Sequence, residues 1–130
     1  MMKFVLKKGI LGFDDLKEYE LVDIENNSKL KEFNSTEEEG IGFIVVSPFE
    51  IMKEYEIVLS QEIISNLEIE SVSDIMLLNI ITLGETIQES TVNMKAPIVI
   101  NIKNNYGMQT ILQDEAYSIK YPLVRGDNGC

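Results

Sequence analysis

The sequence lacks the residues that carry most enzyme chemistry, because its 130 positions include no histidine, no tryptophan and one cysteine. Without histidine, catalysis by a histidine base, a Ser–His triad and a metal held by histidine are all excluded. The single cysteine, Cys130, excludes an intrachain disulfide and a zinc site made of cysteines alone. Because Cys130 is the last residue, with no base near it in sequence, we interpret it as a tail thiol and not as a nucleophile.

Long apolar runs are missing as well. The longest, at residues 75–83, is interrupted by Asn79 and Thr82, and it falls far short of the ~20 residues that a membrane-spanning helix needs. The N-terminal apolar run, residues 4–6, ends at two lysines, and three residues are too few for the apolar region of a signal peptide. With one thiol and no export signal, we expect a cytoplasmic protein that makes no membrane contact.

Positive charge is scarce, since 22 acidic residues face 11 basic ones and the formal net charge is −11. The excess is uneven: residues 9–90 hold 19 acidic and 4 basic side chains, a net charge of −15, whereas residues 91–130 are nearly neutral. A negative surface repels phosphate backbones, so direct binding of nucleic acid is not expected. Such a field favours solubility, or attraction of a basic protein partner.

β-Branched residues are abundant, with 18 isoleucines and 9 valines against 2 alanines, and this composition favours strands. One helix is predicted at 60–67, where Ser60 can cap the first turn and apolar residues form one stripe. In the predicted hairpin at 103–107, Gly107 is free to take a positive φ. Apolar and alternating patterns predict nine strands, at about residues 3–7, 19–24, 29–34, 41–47, 54–59, 75–83, 91–94, 98–103 and 108–113.

These elements predict one mainly β domain over residues 1–123, an antiparallel barrel or sandwich with one or two short helices. Of the two, we expect the small barrel-like sheet. Residues 98–100 and 43–46 are solidly apolar, as strands covered on both faces are. The polar, glycine-rich residues 124–130 are predicted to form a flexible tail.

Candidate chemistry rests on carboxylates and one lysine. The acids at 14–15 and 37–39 are typical of a solvated surface, since carboxylate catalysis needs two acids held across a cleft. Residues 37–39 lack the spacing and glycine of a calcium loop, and we predict no metal or cofactor. Lys95 precedes an apolar strand and could be a catalytic amine, although a solvated or ion-paired lysine is commoner. A small ligand-binding barrel or a carboxylate-dependent enzyme therefore stays open as the alternative to a binding protein.

Five segments in order along the chain resemble the FliW family of bacterial flagellar assembly factors. The segments are GILGFDDLK at 9–17, FIVVSPF at 43–49, TVNMKAPIVIN at 91–101, GMQTIL at 107–112 and YSIKYPL at 117–123. The stretch at 91–101 is the most specific of them. Together the segments extend the resemblance over about residues 4–123.

The resemblance implies a regulatory protein of flagellum biogenesis, not an enzyme. Family members bind the translational repressor CsrA, relieve its repression of flagellin mRNA, and also bind flagellin, which makes them a chaperone-like partner switch. A monomer is expected. The family has a further N-terminal β-hairpin before the Gly9 segment, and this chain starts where that hairpin would end. If that hairpin completes the barrel, its absence would leave an uncovered strand edge, which would favour self-association.

The charge pattern and the motifs predict roles for individual residues, and the resemblance does not indicate which surface meets CsrA and which meets flagellin. The acidic loop residues expected to contact a protein partner are Asp14, Asp15, Glu37, Glu38 and Glu39. Asn93 and Lys95 are expected to make a polar contact, either within the chain or to a partner. Those expected to be architectural, with Phe13 as a core anchor, are Gly9, Gly12, Phe13, Pro48, Phe49, Ala96, Pro97 and Gly107.

Overall fold

Nine strands and one α-helix follow each other along residues 2–124, the part of the chain that the computed structural model describes. The predictions for the tail after Val124, including that for Cys130, lie outside the described residues. The elements are β1 (Met2–Leu6), β2 (Glu18–Ile24), β3 (Asn27–Ser35), β4 (Gly42–Val46), α1 (Gln61–Leu67), β5 (Ile75–Thr82), β6 (Thr91–Val92), β7 (Ile98–Asn101), β8 (Tyr106–Gln109) and β9 (Tyr121–Pro122). Short 3-10 turns lie at Pro48–Glu50, Val72–Asp74 and Ile87–Glu89.

Seven of the strands close into a barrel in the order β4-β3-β2-β1-β8-β7-β5, because β5 pairs back with β4. Every pairing is antiparallel except β1 with β8, which is parallel. The last two residues of β5 also pair with β6, and β6 pairs with β9. The prediction of a mainly β, barrel-like fold with a short helix is therefore confirmed.

The barrel interior is filled by alternate side chains of its strands, as the period of a strand requires. Its centre is aromatic: the Tyr19 and Phe33 rings stack with centroids 4.8 Å apart, and Phe4 lies beside Phe33. Gly107 belongs to this interior. A Cβ there would lie 2.7 Å from a methyl of Leu6 and 3.1 Å from the Ile100 side chain, so a larger residue would force these buried side chains to shift. The buried interior residues are Phe4, Leu6, Ile10, Tyr19, Leu21, Phe33, Val45, Leu78, Ile98 and Ile100.

A second layer covers the outer face of β4, β5, β7 and β8. It consists of α1 and of the extended segments 47–60 and 110–123, which pack on residues such as Leu77 and Val99. Because β7 lies between this layer and the barrel interior, Ile98, Val99 and Ile100 are all fully buried. The prediction that this strand is covered on both faces is confirmed.

α1 begins and ends where its sequence predicts. The Ser60 Oγ accepts the Ile63 N–H at 3.2 Å, as an N-cap does. The helix stops at Glu68, which adopts a left-handed conformation with φ 55°. The Asn101 side chain donates to the carbonyl of Leu67 at 2.8 Å, which ties the helix end to β7. No helix within residues 2–124 is long and apolar enough to cross a membrane.

Several strand predictions are wrong at their ends. Residues 54–59 form no strand although Tyr55, Ile57 and Leu59 do share a buried side, because no neighbouring strand pairs with them. The segment is held by side chains instead: the Tyr55 hydroxyl donates to the Met94 carbonyl at 2.6 Å, and the Glu56 N–H donates to the Tyr117 hydroxyl at 3.0 Å. The predicted strands 98–103 and 108–113 end at 101 and 109, and β9 was not predicted.

Two further expectations need correction. Gly107 does not take a positive φ; Asn105, with φ 63°, makes the turn between β7 and β8 instead. The first strand has no open edge of the kind expected to favour self-association, because β1 pairs with β2 on one side and with β8 on the other.

Candidate protein-binding surfaces

One end of the barrel gathers the two acidic loops that the sequence singled out. The loop from β1 to β2 and the loop from β3 to β4 leave the sheet at the same end. Glu37 joins them, since its Oε1 accepts the N–H of Lys17 at 2.6 Å and that of Glu18 at 3.0 Å. Residues 14–15 and 38–39 therefore share one surface, which we name the acidic end.

The Glu37 carboxylate is itself used within the fold. The two backbone N–H groups that it accepts, from Glu18 and Lys17, hold the pKa of Glu37 below its ordinary value. Burial, followed by the nearby Glu37 charge, raises the pKa of the Tyr19 hydroxyl, which has no hydrogen-bond partner within residues 2–124. Glu37 consequently orders the acidic end, and its neighbours Glu38 and Glu39 are the exposed carboxylates of that loop.

The exposed carboxylates of the acidic end have no ion pair within residues 2–124. Two lysines of the β1–β2 loop are engaged elsewhere. The Lys7 Nζ lies 3.8 Å from the centroid of the Tyr106 ring, and the Lys8 Nζ lies 2.7 Å from the Glu62 carboxylate. In the same described residues, no three acidic or thiol side chains are grouped so that they could hold a metal ion. The acidic end therefore offers charge to a partner.

Asn93 connects strands within the chain. Its Oδ1 accepts the Lys95 N–H at 3.0 Å, and its carbonyl accepts the side-chain N–H of the buried Asn79 at 2.8 Å. Its own N–H donates to the Ile80 carbonyl at 2.9 Å. These bonds hold the irregular link between β6 and β7 against β5, so the Oδ1 and both main-chain groups of Asn93 are occupied internally.

Lys95 is half-buried, and its main chain is occupied as well, since its carbonyl accepts the Leu112 N–H at 2.7 Å. Its ammonium forms no ion pair with any acidic side chain among residues 2–124. The structure therefore does not bring Lys95 together with the acidic end, and it gives the catalytic alternative no carboxylate bonded to this amine.

The expected architectural residues lie in two places. Gly9, Gly12 and Phe13 shape the β1–β2 loop, where Gly12 has φ +91° in a tight turn. Phe13 is 37% exposed and meets Phe43 edge to face at 5.3 Å, so the expectation of a core anchor is wrong and Phe13 instead covers the rim of the barrel. Pro48, Ala96 and Pro97 are buried, whereas Phe49 lies mostly exposed against Tyr55.

A groove that the sequence did not indicate lies on the second layer. It has a volume of about 450 Å³ and runs between residues 56–60 and 110–114, with Tyr117 at its base, and we name it the lateral groove. Val58 at its wall is 91% exposed and Ile111 is 52% exposed. The sequence signal that could have indicated this groove is the alternation of residues 55–59. It places Val58 on the side opposite Tyr55, Ile57 and Leu59, so Val58 is exposed when those three are buried and no strand pairs alongside.

The mouth of the barrel at the opposite end from the acidic loops is a cavity of about 390 Å³, lined by apolar side chains and by Lys29 and Lys31. Both lysines are paired. The Lys31 Nζ lies 2.8 Å from the Asp23 carboxylate, which lowers the pKa of that carboxyl, and the Lys29 Nζ lies 3.8 Å from Glu50. The mouth therefore offers a small ligand no cation that is free of a carboxylate partner.

Comparison with known proteins places these features in a family. The family model described as FliW protein matches residues 2–123. A flagellar assembly factor FliW of Clostridioides difficile strain 630 is 75% identical over 130 residues, the whole of both chains. One of Clostridium kluyveri is 47% identical over 126 residues, covering 97% of this chain and 87% of that protein. A crystal structure of the flagellar assembly factor FliW superposes with a TM-score of 0.88 at 30% identity, over 95% of this chain and 86% of the other.

Proposed function

The chain belongs to the FliW family of flagellar assembly factors, and we propose that it is a non-catalytic regulator in the bacterial cytoplasm. In this proposal it binds the translational repressor CsrA and so relieves repression of flagellin mRNA. It also binds flagellin, and the two partners are linked through it. The proposal takes the protein as a monomer, and β1, which has a partner strand on each side, offers no free edge to a second copy.

The observation that supports this function is the uncompensated negative charge of the surface. Residues 9–90 hold 19 acidic side chains, and the carboxylates that pair with a lysine within residues 2–124 are those of Asp23, Glu50 and Glu62. A repressor that holds RNA needs basic side chains for the phosphates. An acidic protein attracts such a partner and raises the rate of encounter, at a strength that falls with salt.

The same charge explains how CsrA would lose its RNA without its RNA site being covered. Charges act over a screening length of about 8 Å at physiological salt, so carboxylates held beside CsrA repel phosphates that approach closely. The acidic end concentrates such carboxylates on loops at one end of the barrel, at residues 14–15 and 38–39. Bound CsrA would then hold RNA more weakly than free CsrA does.

Flagellin enters as the second partner of a linked equilibrium. When flagellin occupies the protein, less of it is free to hold CsrA, and repression returns. This makes the amount of unassembled flagellin the signal that controls its own translation.

Complex formation between purified proteins tests this function. Mixed with CsrA and run on size-exclusion chromatography with light scattering, the protein should elute in a stoichiometric complex, and added flagellin should lower the amount of that complex. Failure to form a complex with CsrA at micromolar concentrations and low salt would contradict the proposal. The alternative hypotheses, a ligand-binding barrel and a carboxylate-dependent enzyme, would then have to be tested.

A further inference from the structure

The lateral groove is lined by exposed apolar side chains, and the charged side chains in its lining are all acidic. Val58 and Ile111 supply the apolar part, and Glu56 and Asp114 are the charged residues in its lining. No lysine or arginine is among the described residues that line it. A segment that fits this groove therefore needs apolar side chains together with lysine or arginine.

Main-chain groups beside the groove are unpaired. Within residues 2–124 the N–H groups and carbonyls of 57–59 form no hydrogen bond. Across the groove, the N–H groups of Thr110 and Leu112 donate to the carbonyls of Pro97 and Lys95, at 3.0 and 2.7 Å. The intervening Ile111 has no such bond in the described residues. One edge of this segment is thus paired and the other is open.

Both walls have strand-forming sequences. Residues 55–59 alternate between a buried and an exposed side, and 110–112 continue β8 beyond its last ladder pair. β-Branched residues at Ile57, Val58 and Ile111 favour the extended conformation. What these segments lack is a strand beside them, which is the situation in which a partner adds one of its own through main-chain hydrogen bonds.

We propose that an extended segment of a basic partner protein binds in the lateral groove as an added strand. Its apolar side chains would pack on Val58 and Ile111, and its lysines or arginines would lie beside Glu56 and Asp114. The inference rests on the proposed function, under which the basic partner is CsrA. It adds what the family resemblance does not supply, namely the surface used and the conformation of the bound segment.

Charge and shape at the groove are tested by a double variant, Val58→Arg with Ile111→Arg. Both positions are exposed, so the fold should survive, and circular dichroism checks this. Val72→Arg is the matched control, because Val72 is also a valine, 79% exposed, and lies outside the groove. In titration calorimetry the double variant should bind CsrA with an affinity at least about tenfold below that of wild type, because changes at the centre of an interface cost the most binding energy. The affinity of the control should stay within about twofold of wild type.

Strand addition has its own signature in hydrogen exchange of the complex. The amides of 57–59 and of Ile111 should exchange rapidly in the free protein and become protected when CsrA is bound, because they acquire main-chain partners. Val58→Pro keeps an apolar residue but removes one such donor, so it should weaken CsrA binding more than Val58→Ala does. Protection that appears at the acidic end and not in 57–59 would overturn the proposal.

The outcomes separate this inference from the function on which it rests. If wild-type protein forms no complex with CsrA, both fail. If wild type binds CsrA and the double variant binds it within about twofold of wild type, the groove is not the hot spot, and the inference fails while the function stands. Loss of flagellin binding with CsrA binding intact would show that the groove holds the other partner, which also overturns the proposal.

Discussion

The 91–101 segment and the exposed acidic and groove surfaces differ in where their side chains point. The segment carries the sharpest family resemblance, yet Met94, Ile98, Val99 and Ile100 are fully buried, and the Oδ1 and main-chain groups of Asn93 are bonded within the chain. The acidic end and the lateral groove expose carboxylates that form no ion pair among residues 2–124, and the groove also exposes apolar side chains. A family signature can therefore record how the barrel is built, while the surfaces that we propose for partners lie in less distinctive segments.

The largest effect should come from the buried side of this comparison. Met94→Ala removes a fully buried side chain between β6 and the second layer, so we expect a loss of about 2–5 kcal/mol in the free energy of unfolding. Urea denaturation measures it, with Val72→Ala, at an exposed position, changing stability by at most about 0.5 kcal/mol. If Met94→Ala left stability unchanged and abolished CsrA binding instead, the segment would be a contact surface.

Tyr55→Phe tests how the unpaired segment 54–59 is held. The variant leaves the Met94 carbonyl without its 2.6 Å bond in a buried site, which should cost about 1–3 kcal/mol. Burial raises the pKa of Tyr55 to about 12 from 10.0. Because the folded-state pKa is the higher one, the stabilisation is complete below pH 10 and is lost as the pH rises from 10 toward 12.

Thermal unfolding of wild type and Tyr55→Phe between pH 8 and 11 measures both parts of this prediction. The alkaline loss of stability should be smaller in the variant, because the variant lacks the group that titrates. Equal pH dependence in the two proteins would show that Tyr55 ionises as readily in the folded as in the unfolded chain.

A smaller effect, confined to acid, should follow Glu37→Gln. The folded-state pKa of Glu37 is lowered by two backbone N–H groups, so its contribution is present above the unfolded value of about 4.3 and is lost as the pH falls through the folded value. At pH 7 the variant should be less stable than wild type, and in strong acid the two should converge. Chemical denaturation at a series of pH values checks this, and a constant difference at every pH would contradict it.

Substitutions at the acidic end should have the smallest effect on stability. Their effect on CsrA binding should be larger than their effect on stability. Replacing Asp14, Asp15, Glu38 and Glu39 by their amides should change stability by at most about 0.5 kcal/mol for each position, because the side chains are exposed. CsrA association should slow, and its dependence on salt should flatten. If CsrA binding and RNA release both survive unchanged, the electrostatic explanation of release is wrong.

The strands that the sequence predicted well are those whose apolar pattern shows which of their faces must be buried. A continuous run such as 98–100 has to be covered on both faces, and it is. Residues 54–59 show the limit, since alternation reports which side is buried and not whether another strand lies alongside. The role of Gly107 was missed for a related reason: only the pairing of β1 with β8 brings Leu6 against it.

The candidate surfaces were predictable in part. Charge alone drew attention to 14–15 and 37–39, and the fold places those loops together. It could not show that Glu37 is used to bond Lys17 and Glu18, which takes a specific backbone geometry. Val58 gave no signal of exposure on its own, because a valine in a strand-like segment is usually covered.

A gel mobility shift of CsrA on a flagellin mRNA leader, with increasing amounts of this protein, tests the proposed function most directly. The CsrA–RNA complex should disappear and free RNA should return as the protein approaches stoichiometry with CsrA, and added flagellin should restore the shifted band. A CsrA–RNA complex that persists at a large excess of the protein would contradict it.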